Sequence, residues 1–149
     1  MLRKNGNGIL AEMTVAAKAE RVWHVLTSFE EMPAHLTGLN RSKVLREEGN
    51  YRLVEQTAKM GIPLFPLTFR VVMEVMEEKP FLYFNQRLGS FGSFSGHWRV
   101  EPISEGDGTQ VRYYLEASLG KRFRVRPVGH RMILQNLHEL AAWIDNSGS

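Results

Sequence analysis

Histidines stand at positions 24, 35, 97, 130 and 138. No two have the HxxxH spacing and the chain has no cysteine to join them, so no metal site is expected. The missing cysteines also exclude a thiolate nucleophile and a disulfide framework. The run Gly92-Ser-Phe-Ser-Gly96 has the glycine frame of a nucleophile elbow, but Phe94 stands where that motif needs serine. Neither a GxGxxG turn nor a phosphate-binding loop occurs, so no catalytic residue, metal or cofactor is assigned. General acid–base work or hydrogen bonding by strand residues remains, with Glu55, Tyr83, Asn85, Arg87, His97 and Tyr113 as candidates. An inward Arg87 would offer a fork of donors to a carbonyl or carboxylate. The alternative for Arg87, His97 and Glu55 is the solvated face of a sheet.

Those side chains need a scaffold, and the spacing of apolar residues predicts one. From residue 39 to 119 the period is two. Phe69, Val71, Met73 and Val75 alternate with Thr68, Arg70 and Glu74, and Phe94, Gly96, Trp98 and Val100 with Ser95, His97, Arg99 and Glu101. Val111, Tyr113, Leu115, Ala117 and Leu119 form the last strand. Further strands are expected at 9–17, 42–46, 51–59 and 81–88, with the inward faces of 51–59 and 81–88 left open. Glu48-Gly49-Asn50 and Glu105-Gly106-Asp107-Gly108 signal hairpin turns. Residues 60–66 are apolar but contain Pro63 and Pro66, so they read as a loop rather than a central strand.

The first strand is followed by a helix with Val22, Trp23, Leu26 and Phe29 on one face, then by a short helical piece with Pro33 near its start. Residues 125–146 form one long amphipathic helix in which Ile133, Leu137, Leu140 and Ile144 recur at helical spacing. At ~1.5 Å per residue it makes a rod of about 30 Å, enough to cross a small domain. Helices segregated from about seven antiparallel strands define an α+β architecture. The twist of such a sheet would wrap it round the closing helix.

The chain of 149 residues fits one domain, 1–149, with residues 1–8 expected to be flexible. A hydrophobic share of 43% and a charged share of 23% are those of a globular protein. No apolar stretch resembles a signal peptide or approaches the ~20 residues of a membrane span, so a soluble, cytoplasmic protein is expected. The net charge of +3 is mild and suggests no nucleic acid. It is unevenly placed: Lys121, Arg122, Arg124, Arg126 and Arg131 fall close together with no acid among them.

Several local patterns resemble the START-like (SRPBCC) superfamily. They are AAKAERVWHVLTSFEEMP at 16–33, SKVL at 42–45, GHWRVEP at 96–102 and GDGTQVRYYLEASL at 106–119. The pattern is similar to the polyketide cyclase/dehydrase and coenzyme-Q-binding-protein-like branch. Many relatives carry Asp where this chain has Ser28, which puts the helix junction in question. The resemblance implies a helix-grip fold, a curved antiparallel sheet gripping a C-terminal helix with two short helices after the first strand. It further implies a deep apolar cavity between sheet and helix.

On that footing the expected cavity lining is Phe69, Met73, Tyr83, Arg87, Phe94, Trp98, Tyr113, Leu115, Ile133 and Leu137. The leading expectation is binding or transport of a hydrophobic small molecule: a lipid, an isoprenoid or quinone, or a polycyclic aromatic. An aromatase/cyclase using acid–base residues in the cavity is the second, and an interaction module without a cavity the third. Lys121, Arg122, Arg124 and Arg126 admit two readings, a solvated turn or peripheral contact with an anionic membrane. The sequence does not specify an oligomeric state.

Overall fold

The computed structural model describes residues 2–5, 8–62, 65–104, 106, 108–118 and 127–146. Strands β1 (Leu2–Asn5) and β2 (Gly8–Val15) open the chain, followed by helix α1 (Ala19–Leu26) and a 3₁₀ turn (Phe29–Ala34). Then come β3 (Leu39–Glu48), β4 (Tyr51–Ile62), β5 (Phe65–Glu78), β6 (Phe81–Gly89), β7 (Ser93–Pro102) and β8 (Thr109–Ser118). Helix α2 (Pro127–Asn146) closes the chain. The strands pair antiparallel in one sheet of order β1-β2-β8-β7-β6-β5-β4-β3. Because β2 lies beside β8, α1 and the 3₁₀ turn must carry the chain across to the far edge, where β3 begins.

Strand β1 pairs with β2 from Leu2↔Ala11 to Asn5↔Gly8. One segment departs from expectation. The supposed loop at 60–66 is largely strand, with Gly61 opposite Pro66 and Ile62 opposite Phe65. Pro66 is tolerated for a topological reason. Strand β6 reaches only to Gly89, opposite Val71, so β5 at Pro66 has β4 on one side and, among the described residues, no strand paired on the other. A residue without an N–H is acceptable at such an edge. The turn between β3 and β4 is the expected one: Glu48 faces Tyr51, and Gly49 takes a φ of +57°, where a Cβ would be strained.

Register decides which side chains face the helix. Inward residues meet across strands as Gln56↔Val71, Val75↔Phe84, Leu82↔Trp98, Trp98↔Tyr113 and Phe94↔Ala117. Gly96 lies between Phe84 and Leu115, and a Cβ there would come within 2.8 Å of the Phe84 ring, so its bare backbone gives that ring room. On β6 the inward residues are Leu82 and Phe84, both buried.

Helix α2 is divided lengthwise. Its C-terminal half packs solidly: Leu140, Trp143 and Ile144 are buried in the same core as Val22, Val25 and Leu26 of α1. Trp143 stacks on His35 with ring centroids 4.1 Å apart. Its N-terminal half, from Met132 to Leu137, faces open space. At the helix junction, Ser28 donates from its hydroxyl to the His24 carbonyl at 2.6 Å. It therefore closes the C-terminal end of α1 instead of capping the 3₁₀ turn.

Candidate functional site

Between the concave face of the sheet and α2 lies a cavity of about 240 Å³. Its floor is laid by β5 (Phe69, Val71, Met73, Val75), β6 (Leu82, Phe84), β7 (Phe94, Trp98) and β8 (Tyr113, Leu115, Ala117). Helix α2 roofs it with Met132, Ile133, Asn136, Leu137 and Leu140. Leu26, Phe29, Met32, Leu36 and Leu39 close one end, from α1 through the 3₁₀ turn to the start of β3. Phe91 enters from the turn between β6 and β7. That turn is pinned by Gln86, whose side-chain amide donates to the Phe91 carbonyl at 2.8 Å and accepts from its N–H at 3.3 Å. Phe91 then packs against Phe69 and Phe94, each ring centroid 5.1 Å away.

The lining is almost wholly apolar. Its hydrogen-bonding members among the described residues are Gln56, Asn136, Tyr113 and the Trp98 indole N–H, and none of the described lining side chains is Asp, Glu, His, Lys or Arg. Gln56 donates to Ser42 Oγ at 3.0 Å. Asn136 donates to the Thr37 carbonyl at 3.1 Å and to Glu139 at 2.9 Å. Burial pushes the Tyr113 hydroxyl pKa well above its ordinary value, so the phenol keeps its proton.

A polar clasp joins the roof to the end wall. The Glu139 carboxylate accepts from the Thr37 backbone N–H at 3.0 Å and from the Thr37 hydroxyl, while Asn136 holds the Thr37 carbonyl. Partial burial pushes the Glu139 pKa up, but the hydrogen bonds from Thr37 and Asn136 outweigh it and hold the carboxyl below its ordinary value. The neighbouring Gly38 takes a φ of +89° and leaves room for the Met132 side chain.

Of the residues expected to line the cavity, Phe69, Met73, Phe94, Trp98, Tyr113, Leu115, Ile133 and Leu137 do so. Tyr83 and Arg87 do not, and both placements are corrections. Tyr83 is opposite Met76 and His97 on the outer face and is exposed. Arg87 is the extra residue of a bulge, since Val72 faces Leu88 while Met73 faces Gln86, and its guanidinium lies 3.5 Å from Glu74 on the surface. His97 is also outside, among Phe81, Tyr83 and Tyr114, its pKa lowered by partial burial and by Arg99. Glu55 pairs with Arg70 at 2.5 Å on that same face. Gln56 was missed because β4 shows no clean alternation, and Asn136 because it reads as part of the helix's polar side. Lys121, Arg122, Arg124 and Arg126 lie outside the described residues.

No three His, Asp or Glu side chains gather to hold a metal ion among the described residues. What the arrangement can do is enclose an apolar body and offer it a few neutral hydrogen-bonding groups.

Compared with known proteins, residues 15–141 match a family model described as polyketide cyclase / dehydrase and lipid transport. A search of the curated proteins gives no match. Among solved structures, a protein of Thermus thermophilus is similar at 20% identity and a TM-score of 0.79, over 95% of this chain and 99% of that one. An aromatase/cyclase of Streptomyces sp. R1128 aligns at 18% identity and a TM-score of 0.76, over 97% and 94%. A START superfamily protein of Mycobacterium smegmatis aligns at 14% and 0.74, over 95% and 96%. At such identities the likeness shows the fold alone, and that fold is the helix-grip arrangement of curved antiparallel sheet and C-terminal helix.

Proposed function

The chain belongs to the polyketide cyclase / dehydrase and lipid transport family, and on that footing we propose that it binds and carries a hydrophobic small molecule in the cavity under α2. The observation that carries this reading is the cavity itself, about 240 Å³ of interior space with an apolar lining. Native interiors are close-packed, with few voids larger than a water molecule, so a space of this size needs a reason. An apolar guest supplies one, because burying its surface is favourable by ~25 cal/mol per Å².

The volume narrows the guest. It exceeds the ~150 Å³ of an engineered apolar cavity that admits benzene, and falls below the ~300–1,000 Å³ of drug-sized sites. A compact body of one or two rings fits without rearrangement, whereas a long acyl chain requires the walls to move. The solved aromatase/cyclase relative raises cyclisation as a second reading, but the lining does not favour it. Ring closure needs groups that give and take protons. Arg87, His97 and Glu55 lie on the outer face, and Tyr113, with its raised pKa, is a donor and not a base. Loading of the carrier at an anionic membrane through Lys121, Arg122, Arg124 and Arg126 is part of the same proposal, tested by salt-sensitive sedimentation with phosphatidylglycerol vesicles.

The reading is tested with tetralin, an uncharged two-ring hydrocarbon, and selectively excited tryptophan emission. Trp98 lines the cavity, while Trp143 is stacked on His35 and Trp23 lies on α1 under Lys79. Saturable binding that alters emission, with most of the change lost in Trp98→Phe but kept in Trp23→Phe and Trp143→Phe, supports the carrier. No saturable response, or equal losses in all three variants, overturns it.

A further inference from the structure

Among the described residues of the cavity wall, the side chain with an unused hydrogen-bonding group of both kinds is Tyr113. It stands on β8 opposite Trp98 of β7 and Ala11 of β2, at the middle of the floor. Its ring is gripped by Trp98, 4.2 Å away between centroids, and lies 6.0 Å from Phe84, so its direction is set by packing. Tyr113 is half-buried and lines the cavity. Among the described residues nothing accepts from or donates to its hydroxyl. A hydroxyl that opens into an apolar cavity without a protein partner is one that a ligand can satisfy.

The other polar atoms complete the picture. Gln56 and Asn136 use their NH₂ groups on Ser42, Thr37 and Glu139, and among the described residues their side-chain oxygens accept nothing. They belong to β4 and α2, while Tyr113 is four strand positions from β4 in the sheet order β8-β7-β6-β5-β4. The cavity thus presents donors on one wall, the Tyr113 hydroxyl and beside it the donor-only Trp98 indole N–H, and weaker acceptors on another, with no formal charge among its described residues. A charged headgroup would lose its hydration there and gain no counter-charge.

Resting on the carrier reading above, we propose that the Tyr113 hydroxyl selects the ligand: the cavity takes an uncharged one- or two-ring compound whose carbonyl oxygen accepts a hydrogen bond from Tyr113, and rejects carboxylates of the same size. A carbonyl gives this donor the partner it lacks. A hydrocarbon fills the same space and leaves the hydroxyl unpaired.

The test uses a matched series, tetralin, 1-tetralone and tetralin-1-carboxylate, titrated by calorimetry into the wild-type protein and Tyr113→Phe. The substitution deletes one oxygen that makes no hydrogen bond to a described residue, and tetralin binding reports whether the variant is folded. The preference for 1-tetralone over tetralin is expected to fall about tenfold on going from wild type to Tyr113→Phe, the value of one hydrogen bond of ordinary strength. The carboxylate is expected to bind wild type at least ~100-fold more weakly than the ketone, as an unpaired buried charge requires. The carbonyl ¹³C resonance of bound 1-tetralone should also move downfield in wild type relative to the variant. A preference unchanged by the substitution, or a carboxylate that binds as tightly as the ketone, overturns the proposal while tetralin binding leaves the carrier reading standing. Failure of tetralin and 1-tetralone alike to bind wild type overturns both.

Discussion

Helix α2 is half packed and half over open space, and two truncations of similar size should therefore differ. Ile144 is fully enclosed. Ile144→Ala removes roughly three methylene equivalents at ~0.8 kcal/mol each, and the void left behind adds ~1–2 kcal/mol, for about 3–4 kcal/mol. Leu137 lies less than two turns earlier, is half-buried and borders the 240 Å³ cavity. Leu137→Ala removes as many atoms, but about half of their transfer energy applies and the vacated volume joins space already empty. The expected loss is about 1–1.5 kcal/mol. Urea unfolding of both variants at a common m-value measures the pair. Losses that are equal, or a larger one for Leu137→Ala, would mean that the N-terminal half of α2 is packed as tightly as its C-terminal half, and the reasoning from the cavity would be refuted.

Ala117→Leu puts bulk into the cavity from β8. It should raise stability by about 1.5 kcal/mol, from ~0.8 kcal/mol for each of three added carbons less the ~0.5–1 kcal/mol cost of fixing the side chain, while weakening tetralin binding at least ~10-fold; melting and titration check both. Glu139 has a depressed pKa, so its contribution is present above the ordinary value of 4.5 and lost as pH falls through the folded value. Glu139→Gln should flatten that acid-side loss, cost under ~1 kcal/mol at neutral pH because the site is largely solvated, and speed ligand exchange by loosening the Thr37 clasp. His97 should titrate below its ordinary 6.5 by NMR, and Arg99→Gln should restore the midpoint only in part, since burial is the larger cause. The sign follows: with the folded pKa lowered, the protonated imidazole opposes folding, so wild type loses stability as pH drops below 6.5.

Where polar and apolar residues alternate, the sequence exposes the site. Phe94 and Trp98 on β7, and Tyr113 and Leu115 on β8, could be assigned inward because Ser95, His97, Arg112 and Glu116 occupy the other parity. Strand β6 offers no such contrast, since Phe81, Leu82, Tyr83 and Phe84 are all apolar or aromatic, and Tyr83 was placed on the wrong side. Arg87 was misplaced for a different cause. A bulge changes parity at one residue, and whether it forms depends on the partner strand β5, which local sequence does not show. The clasp is still less legible, because Asn136 and Thr37 meet across 99 positions of sequence. Pro66 argued against a strand, yet it lies in β5 where that strand runs past the end of its neighbour β6, and only the strand pairing shows where such an overhang falls. The cavity itself was an expectation from resemblance, since no local pattern records how far a sheet curls from the helix it faces.

The central claim is that an apolar guest sits between the sheet and the first half of α2. Intermolecular NOEs between tetralin at saturation and ¹³C-labelled methyl groups test it most directly. The account predicts contacts to Leu115 on the floor and to Ile133 and Leu137 on the roof, all of which border the cavity. Contacts confined to Leu45 and Leu88, which are exposed on the outer surface, or no contact at all at saturation, would contradict it.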